Sequence, residues 1–208
     1  MADDVATLKL AQQMLNFTVV EKDSKRREAL ADQIGELKPT TQIALLQAMA
    51  LVNATEGTDT KRCAALADKI DGLLKLHNTA LIAEQMAMAL CNASIIGADT
   101  ERRETLAARI GELLKCHNTE VIALAKARVL YDATESQMDP ARSEALADQI
   151  GELLEHHDIV EIARLHMEAL ENAYDQVTGL NVRLRVSLAR RVVEAKSLYE
   201  TRSRNVQA

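Results

Sequence analysis

The string Leu146-Ala147-Asp148-Gln149-Ile150 is one copy of a pattern, Leu-Ala-x-x-Ile, that decides the fold of this chain. The pattern occurs at Leu30–Ile34, Leu66–Ile70, Leu106–Ile110 and Leu146–Ile150, with steps of 36, 40 and 40 residues. Between these copies, an Ile-Ala pair recurs at Ile43, Ile82, Ile122 and Ile162. A third string, Leu-x-Asn-Ala or Leu-x-Asp-Ala, recurs at Leu51, Leu90, Leu130 and Leu170. Because three strings keep one register, the sequence predicts a tandem repeat of about 40 residues.

Each copy is expected to form two helices, because apolar residues recur on one side at the 3.6-residue period. In the first helix of one copy these residues are Ile43, Ala50, Leu51 and Ala54. In the second helix of another copy they are Leu146, Ile150 and Leu153. Neither helix can bury its apolar stripe alone, so we expect hairpin to stack on hairpin.

Polar residues mark the predicted helix starts. An aspartate precedes the second helix of each copy, and Pro140 follows the last of them in the first helical turn. These aspartates are Asp23, Asp59, Asp99 and Asp139. Each next first helix is preceded by His77-Asn78, His117-Asn118 or His157-Asp158, and we expect the Asn or Asp to cap that helix. Connections this short predict antiparallel helices.

The terminal segments depart from the pattern, as expected at the ends of a stacked array. Val5–Thr18 is predicted to be a degraded first helix, with Leu15 in the place of Leu51, and Leu180–Tyr199 a degraded last helix. We therefore expect one all-α domain over residues 1–208, with about ten helices in five hairpins. The predicted hairpins span residues 4–38, 40–76, 78–116, 118–156 and 158–201, and residues 202–208 form a tail.

The antiparallel helix pair, the small residues and the Leu-x-x-x-Ile-x-x-Leu spacing of the second helix resemble the tetratricopeptide repeat superfamily. The resemblance covers the whole chain, but aliphatic residues replace the aromatic positions, the terminal proline is missing, and the period exceeds that family's roughly 34 residues. It implies a right-handed α-solenoid with a concave binding surface. It implies no particular functional residue.

Composition and charge restrict the possible partners. The net charge is −6 and aromatic residues make up 2%, whereas nucleic-acid sites need basic surfaces and often stacking aromatics. No apolar stretch reaches the ~20 residues that a membrane span needs. Three widely spaced cysteines predict no disulfide framework, and we expect no secretory signal from the first residues. We therefore expect a cytoplasmic protein that binds neither nucleic acid nor membrane.

An Asp-x-x-Arg motif is the most regular polar feature, and its arginines are Arg26, Arg62, Arg102 and Arg142. An arginine in the first helical turn opposes the helix dipole and needs compensation. The favoured interpretation is a ladder in which each arginine pairs with its own capping aspartate or with an acid on the adjoining repeat. The alternative is a row of guanidinium groups that binds a carboxylate or phosphate.

Two further polar rows are interpreted as structural. The histidines His77, His117 and His157 should hydrogen-bond at helix C-termini. Stacked repeats place them on the order of 10 Å apart, whereas metal ligands lie about 2 Å from one ion, so no metal site is predicted. A row made of Asn53, Asn92, Asp132 and Asn172 should bond to the following loop or the neighbouring repeat, or else read a ligand. No phosphate loop or nucleophile–base pair is present, so neither catalysis nor a cofactor is expected.

A partner-binding face is predicted on the side of each first helix opposite the core stripe. It begins apolar and ends charged along the chain, and its residues are Leu45, Met49, Val52, Met88, Cys91, Arg128 and Tyr131. Exposed apolar patches usually mark interaction sites, and methionine adapts to varied apolar partners. A helical phase shifted by one position would instead place these residues in the core.

Two function classes follow. In the first, the protein is an adaptor or scaffold that binds a helix or peptide of another protein on its concave first-helix face. In the second, it is a structural protein that self-assembles, with its basic last helix docked on the acidic body of the next copy. From Leu180 onward there are seven basic and two acidic side chains, which is the basis of this alternative. We favour the adaptor.

Overall fold

The computed structural model of the protein describes residues 2–95, 99–177 and 181–207. Over these ranges, every regular element is a helix: ten α-helices are present and no strand. The helices are α1 (Ala2–Val20), α2 (Ser24–Gly35), α3 (Thr41–Thr55), α4 (Thr60–His77), α5 (Ala80–Ile95), α6 (Thr100–Cys116), α7 (Glu120–Ser136), α8 (Pro140–Leu154), α9 (Val160–Gln176) and α10 (Val182–Gln207). The predicted all-α class and number of helices are confirmed.

The chain forms two compact units, Met1–Gly97 with α1 to α5 and Ala98–Ala208 with α6 to α10. Consecutive helices pack together in each unit. In the first unit the odd-numbered helices α1, α3 and α5 also contact one another in order, and in the second unit α7 contacts α9. Within the described ranges, α2 and α4 are not in comparable backbone contact, and neither are α6 and α8 or α8 and α10. The odd helices are thus closely packed, whereas the even helices are spaced apart.

The repeated pattern supplies the core. Its isoleucines Ile34, Ile70, Ile110 and Ile150 are all fully buried. Burial of one such side chain stabilises the fold by about 1.5–3 kcal/mol relative to an exposed one. About half of the buried residues of the odd helices are alanines, among them Ala48, Ala50, Ala87, Ala89 and Ala127. Small side chains let the helix backbones approach closely, so the composition of the odd helices determines their spacing.

The capping residues of the even helices are those predicted. The carboxylates of Asp23, Asp59, Asp99 and Asp139 accept hydrogen bonds from backbone N–H groups of the following turn. Bonds from the backbone N–H groups of Lys25 and Arg26 lower the pKa of Asp23.

The caps of the odd helices differ from the prediction. The hydroxyls of Thr40, Thr79 and Thr119 accept the bonds that start α3, α5 and α7, one position after the predicted Asn in the latter two. Asn78 instead ends α4 with a φ of 43°, in the left-handed region. Asparagine tolerates that conformation unusually well, which explains its place at a helix C-terminus. For α9, Ile159 occupies the cap position and its side chain makes no capping bond.

The register of α1 also differs from the prediction. The Thr18 hydroxyl donates to the carbonyl of Leu15 at 2.7 Å, as the Thr55 hydroxyl does to the carbonyl of Val52 at 2.6 Å. This shared bond aligns Leu15 with Val52 rather than with Leu51. The N-terminal helix lacks the Leu-x-Asn-Ala string, so its sequence alone could not distinguish the two registers.

Candidate protein-binding face

The predicted face of the first unit lies on α3 and α5. Met49 is 36% exposed and Met88 41% exposed, whereas Leu45 and Cys91 are half-buried. Val52 is only 6% exposed, because α3 lies between α1 and α5 and both neighbours cover its sides. The two methionines therefore offer side-chain surface to a partner, whereas Val52 belongs to the core.

Sequence reasoning missed the ends of this face. Leu81 and Ile95 lie on α5 two turns before and after Met88, and they are 54% and 63% exposed. A stripe extended at the same helical period would have included both residues. We call the surface formed by Met49, Leu81, Met88 and Ile95 the apolar face.

The odd helices of the second unit carry charge at the equivalent positions. The Arg164 guanidinium donates to Glu161 at 2.7 Å and to Glu168 at 2.5 Å, and Arg128 lies 4.0 Å from Glu161. The hydrogen bond from Arg164 lowers the pKa of Glu161, and the same bond raises the pKa of Arg164. Arg128 of the predicted site is therefore part of an ion-pair network between α7 and α9.

Tyr131, the other predicted residue of the second unit, is half-buried on α7. Its phenol donates to the Glu135 carboxylate at 3.0 Å. Burial and this bond raise the pKa of Tyr131 to about 12. The predicted residues thus divide into an apolar group in the first unit and two polar residues in the second, each of which interacts with a glutamate.

Two arginines of the Asp-x-x-Arg motif make the predicted pairs with the adjoining repeat. Arg62 donates to Glu28 at 2.5 Å, and Arg142 donates to both oxygens of Glu104 at 2.8 Å. Burial alone would raise the pKa of Glu28, but hydrogen bonds and charge from Lys69 and Arg62 lower it. Arg26 differs, since it is 75% exposed and 3.8 Å from Glu21. Arg62 and Arg142 therefore pair with an acid of the adjoining repeat, as the ion-pair interpretation predicts.

A neighbouring arginine has a structural role that sequence reasoning missed. Arg27, with a side chain 11% exposed, donates to the carbonyls of Glu21 at 2.5 Å and Asn53 at 2.6 Å. Arg103 makes the equivalent bond to the carbonyl of Asp132 at 2.7 Å. Both arginines satisfy carbonyls at the C-terminus of the next odd helix, where a positive charge is favourable.

The asparagine row forms a hydrogen-bonded ladder between odd helices. Asn53 donates to Thr18 at 2.8 Å, Asn92 to Thr55 at 2.7 Å and Asn172 to Thr134 at 3.0 Å. Each hydroxyl also donates to a carbonyl three residues before it. These amides join neighbouring repeats, in agreement with the structural interpretation of the row.

The basic residues of α10 are used in part within the second unit. Arg191 donates to Glu144 at 2.6 Å and also to Asp148 of α8. Arg202 pairs with Asp158 at 2.7 Å, and the Arg185 guanidinium lies 5.3 Å from the centre of the Tyr174 ring. These pairs hold α10 against the rest of its own unit.

The remaining chemical features offer no second kind of site. Across the described ranges, no group of three or more His, Cys, Asp and Glu side chains could hold a metal ion. Cys63, Cys91 and Cys116 are present as thiols and not as disulfides. Over the same ranges, none of the helices combines the length and apolar character needed to cross a membrane. Comparison of the chain with sequence models of protein families, with curated proteins and with solved structures gave no match.

Proposed function

We propose that this protein is an adaptor or scaffold that binds a helix or peptide of another protein on the apolar face. The observation that carries the proposal is the exposure of Met49, Leu81, Met88 and Ile95 on helices that already have a buried core. Exposed side chains of this kind, grouped on neighbouring helices, are typical of interaction sites. Two of the four are methionines, whose flexible side chains adapt to varied apolar partners.

The proposed architecture is a right-handed α-solenoid with a period of about 40 residues, in which the odd helices line the concave side. The spacing of the helices within each unit supports it: there, odd helices pack directly on one another, whereas even helices are bridged by side chains. In a curved stack the more closely spaced helices belong on the inner side. A partner helix lying across α3 and α5 would present apolar residues at the i, i+3, i+4 and i+7 positions.

The proposal assigns the protein neither catalytic activity nor a cofactor. It places the protein in the cytoplasm, where the thiols of Cys63, Cys91 and Cys116 would stay reduced.

The test is affinity capture from a lysate of the source cells, with partners identified by mass spectrometry. The wild type is compared with a Met49→Glu/Met88→Glu variant, which adds two carboxylates to the apolar face. Met138→Glu is the matched control, because Met138 is 87% exposed in a connecting segment of the second unit and is not part of the apolar face. Circular dichroism of each variant shows whether the helices remain folded.

We expect the control to retain every partner of the wild type and the folded double variant to lose at least one. Partners bound equally by all three proteins would refute the proposal. An unfolded double variant would show that the methionines are needed for the core, and Leu81→Glu and Ile95→Glu, at more exposed positions, would then repeat the comparison.

Self-assembly is the second candidate, and a feature of α10 favours it. Val182, Val186 and Val193 are each about two-thirds exposed, beside the exposed Arg183 and Arg190. Such a surface could dock on the acidic body of another copy. Sedimentation velocity at low and high salt tests this: assembly that weakens with salt and disappears in an Arg183→Glu/Arg190→Glu variant would favour it. A monomer at every concentration would exclude it.

A further inference from the structure

Two of the clefts between even helices are closed by a basic side chain that reaches two acids. Between α2 and α4, Lys69 donates to Glu28 at 2.9 Å and to Asp32 at 2.8 Å, in addition to the pair formed by Arg62. Between α8 and α10, Arg191 bridges Glu144 and Asp148. The second bridge repeats the first at equivalent acidic positions.

The cleft between α6 and α8 lacks this closure. Arg142 pairs with Glu104, as Arg62 pairs with Glu28, but Ala108 stands in the position of Asp32 and Gln149 in that of Lys69. Neither residue can form the missing ion pair. A groove of about 880 Å³ remains open here, and it is lined by residues of α6, α7, α8 and the segments that follow α6 and α8.

Lys126 of α7 lines this groove. Its side chain lies against Gly111 of α6, where a Cβ atom would be 3.6 Å from the Lys126 ammonium. The equivalent residues Gln47 and His166 lie against Gly35 and Gly151 in the same way. Glycine at this position leaves room for a polar side chain of the next odd helix. Among the residues that the structure describes, the Lys126 ammonium has no hydrogen-bond or ion-pair partner.

The other charges that line the groove are balanced. Glu104 is neutralised by Arg142, and Glu112 accepts a hydrogen bond from Lys115 at 2.7 Å. The rest of the lining is mixed, with small or apolar residues (Ala108, Gly111, Ala145, Leu114, Leu146 and Leu153) and polar residues (Asn118, Gln149, His156 and His157). Lys126 is thus the one lysine or arginine of the groove without an acidic partner among the described residues, and it shares the groove with several leucines in a protein of net charge −6.

We propose that the groove between α6 and α8 binds an acidic peptide segment, and that a Glu or Asp side chain of the peptide pairs with Lys126. A free small anion would use the lysine and leave the leucine-lined remainder empty, whereas a peptide with apolar residues around its acid fills both. The volume lies within the range of about 300–1,000 Å³ that is usual for ligand sites. This inference concerns the second unit and does not depend on the apolar face of the first.

The probes are two fluorescent libraries of capped octapeptides, one with Glu fixed at a central position and one with Gln there. All other positions are mixtures of Leu, Ala and Ser. Binding is measured by fluorescence anisotropy at low salt, and sodium acetate is titrated separately as a free carboxylate, with the NMR signals of the lysine side chains as the readout.

Two variants take their design from other repeats of the chain. Lys126→Met introduces the residue that α5 has at the equivalent position, Met86, and removes only the cation. Ala108→Asp/Gln149→Lys copies the Asp32–Lys69 bridge and should close the groove. Ala108 and Gln149 are both exposed, so this second variant is expected to fold, and circular dichroism verifies it.

We expect the wild type to bind the Glu library about tenfold more tightly than the Gln library, as one partly buried charge pair would give. Lys126→Met should remove that preference, and the closed variant should bind neither library. Met49→Glu/Met88→Glu should bind like the wild type, which separates this site from the apolar face. The proposal is overturned by equal binding of both libraries, by binding of neither, or by acetate perturbing Lys126 as strongly as the peptides do.

Discussion

Replacement of Arg27 by methionine tests whether this arginine joins the C-terminal ends of α1 and α3. Its guanidinium donates to the carbonyls of Glu21 at 2.5 Å and Asn53 at 2.6 Å, and it lies 3.1 Å from the Glu56 carboxylate. Hydrogen bonds that involve a charged group contribute about 1.5–3 kcal/mol each, and the favourable charge at the end of a helix adds about 0.3–1 kcal/mol. Water can solvate part of the carbonyl groups that the substitution leaves unpaired. We therefore expect the free energy of unfolding to fall by about 3 kcal/mol.

The adjacent Arg26 provides a matched control. Arg26→Met removes the same charge from the same helix and introduces the same residue, but Arg26 is 75% exposed and 3.8 Å from its acid. Exposed ion pairs contribute little to stability, so we expect the free energy of unfolding to change by less than about 0.5 kcal/mol. Urea unfolding followed by circular dichroism gives both free energies, and amide hydrogen exchange localises the opening to α2 and α3. A difference of less than about 1 kcal/mol between the two variants would refute the assigned role of Arg27.

Three further predictions follow from named groups. The pKa of Tyr131 is raised from 10.0 to about 12, so neutral Tyr131 stabilises the fold below pH 10, and this contribution is lost as the pH rises toward 12. In a pH titration of tyrosinate absorbance, Tyr131→Phe should remove the step that belongs to this residue. Burial, with the nearby Arg191 charge, lowers the pKa of His166 from 6.5. Neutral His166 therefore contributes fully to stability above pH 6.5, and this contribution is lost as the pH falls below that value. His166→Gln should make Tm depend less on pH below 6.5. Thr79→Ala should lower the free energy of unfolding, measured with a chemical denaturant, by about 1 kcal/mol. Asn78→Gly, at a φ of 43°, should leave this free energy unchanged or raise it. An unchanged free energy in Thr79→Ala would contradict the assigned cap.

The repeat pattern was enough to predict the helices and the core. Ile34, Ile70, Ile110 and Ile150 recur at the helical period, and all four are buried. The aspartates before the even helices were also predicted correctly, because a capping bond joins residues two or three positions apart. Such local relations are present in the sequence itself. They hold whatever the arrangement of the repeats.

Relations between distant residues required the tertiary structure. The motif drew attention to Arg26, but Arg27 reaches Asn53, because the rotation of α2 against α3 decides which of two adjacent arginines faces the helix end. Val52 was predicted to face a partner, but it is covered by neighbouring helices. The distance between α6 and α8, which leaves a groove beside Lys126, depends on a bridge that two other clefts possess and this one lacks. The sequence alone determined which side of each helix is apolar, and the packing of one helix on another decided which polar side chains meet.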